Sequence, residues 1–196
     1  MGCCQSSQSE APLFSRSDTV KSRKGTAQHH YEIIETLGRG SFGTVSKVRD
    51  RKTKLIRAMK ELKKAEIPKE DLKSIQNEIN LLTELDNPNI MKIYETIESS
   101  KSFYIICECL TGGELFEILK KKKTFPELTV CKYMYDVFSA LAYLHNMKIV
   151  HSDLKLENLV LDSTEPSARV KLIDFGVSRK MEEGLLSGVV GSVRNI

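Results

Sequence analysis

The order of five short motifs constrains the fold of this chain more than any other feature of its sequence. They are GRGSFGTV at residues 38–45, AMK at 58–60, Glu78 within a helical pattern, HSDLKLEN at 151–158 and DFG at 174–176. Each string alone could arise by chance. Together they carry glycines, a lysine pair, carboxylates and an amide on five separate segments, so a fold that uses them must bring distant parts of the chain to one site.

The glycine-rich loop lies between two predicted strands. Residues 31–37 and 43–49 show patterns that are typical of strands, and the later segment carries the β-branched residues Thr44, Val45 and Val48. A dinucleotide-binding fold would instead follow the glycines with a helix and place an acidic residue about 20 positions later. Neither condition is met, so we predict a hairpin. Gly38, Gly40 and Gly43 would let backbone amides approach phosphates, although an ordinary tight hairpin would explain the same glycines.

The five motifs together resemble the signature set of the eukaryotic protein kinases. GGELF at residues 112–116 is similar to the calcium-dependent and calmodulin-dependent kinases, and Lys155 within DLKLEN looks like the serine/threonine class. The resemblance implies an α+β, two-lobe kinase fold over residues 31–196. A complete five-stranded small lobe with one helix would occupy residues 31–110, and an incomplete helical large lobe would occupy residues 111–196.

The resemblance also assigns the ATP contacts. Lys60 would bind the α- and β-phosphates, and Glu78 would hold Lys60 through an ion pair. The alternative for Glu78 is a surface salt bridge within its own helix. The spacing of Glu78 from Lys60 favours the ion pair with Lys60. Backbone groups of Glu108 and Leu110 would bind adenine, and Glu114 would contact the ribose and a basic substrate residue. The other expected contacts are Leu37, Gly38, Gly40, Gly43, Val45, Ala58 and Val160.

The catalytic groups are expected on the later two motifs. Asp153 would accept or orient the proton of the attacking hydroxyl, and Lys155 would neutralise charge on the transferring phosphate. Asn158 and Asp174 would ligate Mg²⁺, which prefers oxygen ligands. Ser152 stands where many kinases have an arginine that pairs with a phosphate on the activation loop, so we expect activation without loop phosphorylation.

The chain ends at Ile196, before the Ala-Pro-Glu string of the kinases. We therefore expect an incomplete catalytic domain. The function that the sequence favours is transfer of the γ-phosphate of ATP to Ser or Thr of protein substrates, some with basic upstream residues. The alternatives are a non-catalytic nucleotide-binding pseudokinase or decoy module, and a fragment of a larger kinase without a function of its own.

The N-terminal segment differs in composition from the rest of the chain. Residues 1–30 have few large apolar side chains and are predicted to be disordered. Gly2 and Ser6 fit the myristoylation pattern, and Cys3 and Cys4 are candidates for palmitoylation. Two acyl groups would anchor the chain stably on a membrane surface, whereas one would not. We expect a cytoplasmic, membrane-associated protein; the alternative is an ordinary flexible tail whose Met-Gly start is coincidental.

Composition limits the other possibilities. The 196 residues are 40% hydrophobic and 29% charged, which suits one globular domain. The net charge of +4 is spread along the chain, so we predict no nucleic-acid partner. No apolar run of about 18 residues occurs, so no membrane span is predicted. The five cysteines lack paired metal-site spacing and are expected to be reduced thiols.

Overall fold

The computed structural model describes residues 20–40, 43–69, 71–175 and 178–180. For residues 40, 74, 77, 78, 179 and 180 it describes the backbone alone. The predicted acylation sites Gly2, Cys3 and Cys4 therefore lie outside the described residues, and so does the side chain of Glu78.

A six-stranded sheet forms the small lobe. Its strands are β1 (Lys21–Lys24), β2 (Tyr31–Gly40), β3 (Gly43–Asp50), β4 (Ile56–Lys63), β5 (Ile93–Glu98) and β6 (Ser102–Cys107). Their spatial order is β1-β5-β6-β4-β3-β2. The pairs β2–β3, β3–β4, β4–β6 and β5–β6 are antiparallel, which confirms the predicted hairpin around the glycine loop and the five strands expected from Tyr31 onward.

Strand β1 is a correction to the sequence analysis. It pairs in parallel with β5, and Ala27 in the short 3₁₀ turn that follows is fully buried. The prediction of disorder up to residue 30 is therefore wrong for residues 20–30. The segment KSRK shows no apolar alternation, so nothing in the sequence predicted this strand. Backbone pairing with β5 and an ion pair from the partly exposed Arg23 to the buried Glu95 hold it in place, and both partners lie far along the chain.

Helix α1 (Leu72–Glu84) covers one face of the sheet. Its apolar stripe, Ile75, Ile79 and Leu82, packs with Ala58, Leu62 and Ile105 in the main core. The opposite face carries a second cluster formed by Ala27, Tyr31, Val48, Met59, Ile97, Tyr104 and Ile106. The sheet is therefore covered on both sides, with α1 on one side and the segment that follows β1 on the other.

The described part of the large lobe contains two helices and five short strands. The helices are α2 (Leu115–Lys122) and α3 (Glu127–Asn146). The strands are β7 (Gly113–Glu114), β8 (Ile149–Val150), β9 (Leu159–Leu161), β10 (Val170–Leu172) and β11 (Arg179–Lys180). They form the sheets β10-β9-β7 and β11-β8. No helix within the described ranges is long and apolar enough to cross a membrane.

The two faces of α3 differ in burial. Val137, Ala140 and Leu144 lie in the main core. Val130 and Met134, which share their helical spacing, are both exposed. Helical spacing alone would group these five residues on one apolar face, but the described part of the fold buries only three of them. The other large apolar side chains exposed on α3 are Leu128, Tyr135 and Phe138.

Candidate active site

The register of the small-lobe strands aligns several of the predicted ATP contacts. We call the expected ATP site between the two lobes the cleft, and these strands are its small-lobe wall. Val45 pairs with Lys60, and Gly38 pairs with Val45 on the other side. Ala58 pairs with Cys107, whose thiol donates a hydrogen bond to the Ala58 carbonyl at 3.6 Å. Because side chains alternate along a strand, Ala58 and Lys60 share one face. The register thus aligns four residues of the predicted ATP contacts on three neighbouring strands.

The glycines of the loop have different roles in the structure. A Cβ at Gly43 would lie 1.8 Å from the backbone oxygen of Glu61, so β4 approaches too closely for any side chain there. A Cβ at Gly38 would meet nothing within 4 Å. Gly40 pairs with Gly43 across the hairpin, and Leu37 lies half exposed at an irregularity of the register. Gly43 is therefore required by the fold itself.

Lys60 lies on β4, next to the strand that carries Cys107. Its positive charge acts on the buried thiol of Cys107. Burial nevertheless dominates and raises the pKa of Cys107 to about 12, so the thiol stays protonated. Glu78 is a residue of α1, the helix that packs beside this wall. The ion pair between Lys60 and Glu78 stays a prediction, because the structure describes only the backbone of Glu78.

The segment between the lobes is held by a buried ion pair that the sequence analysis missed. Lys171 Nζ donates to Glu108 Oε1 at 2.8 Å, and the same oxygen accepts the backbone N–H of Lys92 at 2.6 Å. Both charged side chains are largely shielded from water. A single lysine within a short strand gives no signal in the sequence. The side chain of Glu108 thus ties three segments together, beyond the backbone role predicted for it.

The floor of the cleft is the sheet β10-β9-β7. Val160 is buried, and it pairs with Glu114 on one side and Lys171 on the other. Glu114 is exposed at the edge of the cleft. Gly112 donates its N–H to the Leu161 carbonyl at 3.0 Å, and a Cβ there would lie 2.1 Å from the backbone oxygen of Ser163. Val160 and Glu114, which are both predicted to contact ATP, therefore lie on neighbouring strands.

The catalytic loop is held by short-range hydrogen bonds. Lys155 Nζ donates to Asp153 Oδ2 at 2.5 Å. Asn158 Nδ2 donates to the same carboxylate oxygen at 3.0 Å and to the Asp153 carbonyl at 2.9 Å. The loop therefore presents a carboxylate, an ammonium group and an amide within hydrogen-bonding distance of one another, which are the three groups that the sequence predicted for this site.

Asp174 is connected to the same loop through the backbone. Ile173 donates its N–H to the Asn158 carbonyl at 2.9 Å. The ring of Phe175, which is 1% exposed, contacts His151 edge-on with 4.9 Å between ring centroids. Contacts on both sides of Asp174 thus join the two predicted metal ligands, Asn158 and Asp174, into one structural unit.

His151 fixes the start of this loop. Its Nε2 donates to the Ile173 carbonyl at 3.1 Å, so its Nδ1 can accept the N–H of Asp153 at 3.3 Å only while the ring is neutral. Burial lowers the pKa of His151, which favours that neutral ring. Ser152 and Asp174 both have positive φ, at 67° and 62°. Such outliers in non-glycine residues concentrate at functional sites.

The donor set suits Mg²⁺ better than a metal that needs a complete protein cage. No group of three or more His, Cys, Asp or Glu side chains in the described residues could hold a metal ion. Mg²⁺ commonly takes one or two protein oxygens and completes its shell with phosphates and water. One carboxylate, Asp174, and the amide oxygen of Asn158 fit that mode.

Comparison with known proteins agrees with this geometry. Residues 31–194 match the family described as Protein kinase domain. The chain is 35% identical over 188 residues to calcium-dependent protein kinase 5 of Plasmodium berghei (strain Anka), covering 93% of this chain and 33% of that protein. It is 36% identical over 156 residues to myosin light chain kinase A of Dictyostelium discoideum, covering 80% and 53%.

A third relative, human NUAK family SNF1-like kinase 2, is 35% identical over 162 residues, covering 82% of this chain and 25% of that protein. The chain thus spans between a quarter and about half of the length of these relatives. The match covers both lobes and every motif from which the site is built. The chain therefore belongs to the protein kinase domain family.

Proposed function

We propose that this chain is the catalytic part of a serine/threonine protein kinase that transfers the γ-phosphate of Mg·ATP to a protein hydroxyl. The observation that carries the proposal is the hydrogen-bonded unit of Asp153, Lys155 and Asn158, joined through Ile173 to Asp174. Phosphoryl transfer depends mostly on positioning and charge stabilisation. A loop whose groups already hold one another in place meets that requirement.

Some of the site residues would bind Mg·ATP, and others would take part in the transfer of the phosphoryl group. Lys60 would contact the α- and β-phosphates, and Ala58 and Val160 would enclose the adenine from above and below. Support for this comes from the register, which sets Lys60 opposite Val45, and from the burial of Ala58 and Val160. Bound Mg·ATP would supply the phosphoryl group, and Asn158 and Asp174 would hold the metal. Asp153 would accept the proton of the substrate hydroxyl, and Lys155, already beside its carboxylate, would stabilise charge on the transferring group.

Serine/threonine specificity rests on Lys155, which occupies the place typical of that class. The exposed carboxylate of Glu114 at the edge of the cleft supports a preference for substrates with a basic residue upstream of the phosphorylated site. Acylation at Gly2 and at Cys3 or Cys4 is part of the proposal and would bring the kinase to a membrane surface. Gly2→Ala should then move the protein out of the membrane fraction, and equal fractions for both proteins would refute acylation.

The catalytic proposal is tested by transfer of radiolabelled phosphate from ATP to a serine peptide with upstream arginines. Asp153→Ala serves as the blank, because it removes the base and leaves the residues that bind nucleotide. Transfer above the blank supports the kinase. Mg·ATP binding with no transfer above the blank would instead favour the two alternatives, a non-catalytic nucleotide-binding module or a fragment of a larger kinase.

A further inference from the structure

Residues 20–24, which we call the N-terminal strap, contact both faces of the small-lobe sheet. Val20 packs against the main core, which contains Ile75 and Ile79 of helix α1. On the other face Arg23 forms an ion pair with Glu95. Between these two anchors the strap pairs with β5, and just beyond it Gly25 donates its N–H to the Glu98 carbonyl at 2.8 Å. The strap is thus an integral edge of the sheet.

The ion pair of the strap neutralises a buried charge. Glu95 is 5% exposed, and the Tyr31 hydroxyl donates a hydrogen bond to its Oε2 at 2.7 Å. Burial, followed by this hydrogen bond to Glu95, raises the pKa of Tyr31, so the hydroxyl remains a donor. Arg23 supplies positive charge to the other carboxylate oxygen. A buried carboxylate that loses its cation is strongly destabilised, so Glu95 favours the docked strap.

The strap also bounds a pocket against helix α1. This shallow, open pocket is lined by Ser22 of the strap, Gln76 and Ile79 of α1, and Thr96, Glu98 and Phe103 of the sheet. Ile79 is 4% exposed. If the strap left the sheet, the pocket would lose one wall and water would reach this side of α1.

We propose that Arg23 is a positioning residue that holds the N-terminal strap in the sheet and thereby holds helix α1, with Glu78, against the ATP cleft. The coupling runs from Arg23 to Glu95 on β5, whose residue Ile93 shares the main core with Ile75 and Ile79. The consequence for ATP rests on the proposed function, in which Glu78 orients Lys60. The consequence for α1 does not.

Hydrogen exchange of the amides of residues 72–84 tests the coupling without nucleotide. Arg23→Ala should speed their exchange roughly tenfold, because local opening becomes easier. Lys21→Ala is the matched control, since Lys21 is an exposed cation of the same strand. Val137→Ala, in the core of α3, is a control for general loss of stability. At an equal fall in melting temperature it should affect α1 less than Arg23→Ala does.

The proposal is overturned if α1 exchanges equally fast in Arg23→Ala and Lys21→Ala, or if Val137→Ala has the same effect as Arg23→Ala. If Arg23→Ala does not fold, the double variant Arg23→Ala/Glu95→Gln decides, because it removes the uncompensated carboxylate. Faster exchange of residues 72–84 in the folded double variant than in Lys21→Ala supports the proposal, and either equal exchange or an unfolded double variant refutes it.

Mg·ATP titration then measures the effect on the cleft. The Kd should rise about tenfold in Arg23→Ala and return close to the wild-type value in Arg23→Lys, which keeps the charge. An unchanged Kd in a variant whose α1 exchanges faster would refute the link from α1 to the cleft. If the wild-type chain binds no Mg·ATP, the proposed function fails, whereas the exchange result still decides whether the strap holds α1.

Discussion

The two sides of the cleft are built in different ways. On the large-lobe side, Asp153, Lys155 and Asn158 are held by hydrogen bonds within five residues, and His151 bonds to Ile173 only 22 positions away. The small-lobe side depends on contacts between remote segments, such as Tyr31 with Glu95, 64 positions apart. A motif can therefore specify the catalytic loop almost by itself, while the small-lobe wall needs the whole sheet.

The largest loss of stability is expected for a substitution at Gly43, where the small-lobe wall leaves no space for a side chain. Gly43→Ala should lower the free energy of unfolding by about 3 kcal/mol, because its Cβ would overlap the backbone of Glu61 and force β3 from β4. Gly38→Ala, in the same loop but with open space around it, should change stability by less than about 1 kcal/mol. Chemical denaturation of the two variants measures the contrast, and equal stabilities would contradict it.

A smaller loss is expected at the ion pair between the two sides. Lys171→Met should cost about 2–3 kcal/mol, because it leaves the carboxylate of Glu108 shielded and without this cation. Adding Glu108→Gln should recover most of that loss. Lys92→Met, which removes the exposed partner of Asp86, serves as a control and should cost less than about 1 kcal/mol. Strictly additive losses for Lys171 and Glu108 would show that the pair is not coupled.

On the large-lobe side, the loss of stability should be smaller, and faster hydrogen exchange should be confined to the catalytic loop and its neighbours. Asn158→Ala removes two hydrogen bonds to Asp153 and should cost about 1–2 kcal/mol. Hydrogen exchange should rise in residues 151–175, because the contacts of this loop are short in sequence separation. A comparable rise across β2 to β6 would contradict the distinction between the two sides.

Thiol reactivity should distinguish the buried wall from the exposed helix without affecting stability. Cys131 is exposed on α3, whereas Cys107 is buried with its pKa raised to about 12. At pH 8 iodoacetamide should modify Cys131 at least ~100-fold faster than Cys107, because the thiolate is the reactive form. Cys109, whose pKa burial also raises, should react more slowly than Cys131. Peptide mass spectrometry measures the three rates, and rapid labelling of Cys107 in folded protein would contradict the packing of the wall.

The same distinction explains what the sequence could predict. The resemblance of the string HSDLKLEN to the kinase motif predicts roles for Asp153, Lys155 and Asn158 together, and the hydrogen bonds that join these residues lie within that string. The β2–β3 hairpin followed from local alternation. Strand β1 and the pair Glu108–Lys171 were missed, because each depends on a partner more than 60 positions away and neither segment has a distinctive pattern. The exposure of Val130 and Met134 does not follow from the sequence for a related reason, since helical spacing shows which face is apolar but does not show what covers it.

Both sides of the cleft are expected to form one Mg·ATP site. The most direct test of this expectation is a calorimetric titration of Mg·ATP into the folded chain, its Lys60→Ala variant from the small-lobe wall and its Asp174→Ala variant from the large-lobe side. The wild-type chain should bind Mg·ATP, Lys60→Ala should lose binding, and Asp174→Ala should bind more weakly. A folded wild-type chain that gives neither heat nor a thermal shift with Mg·ATP would contradict this expectation.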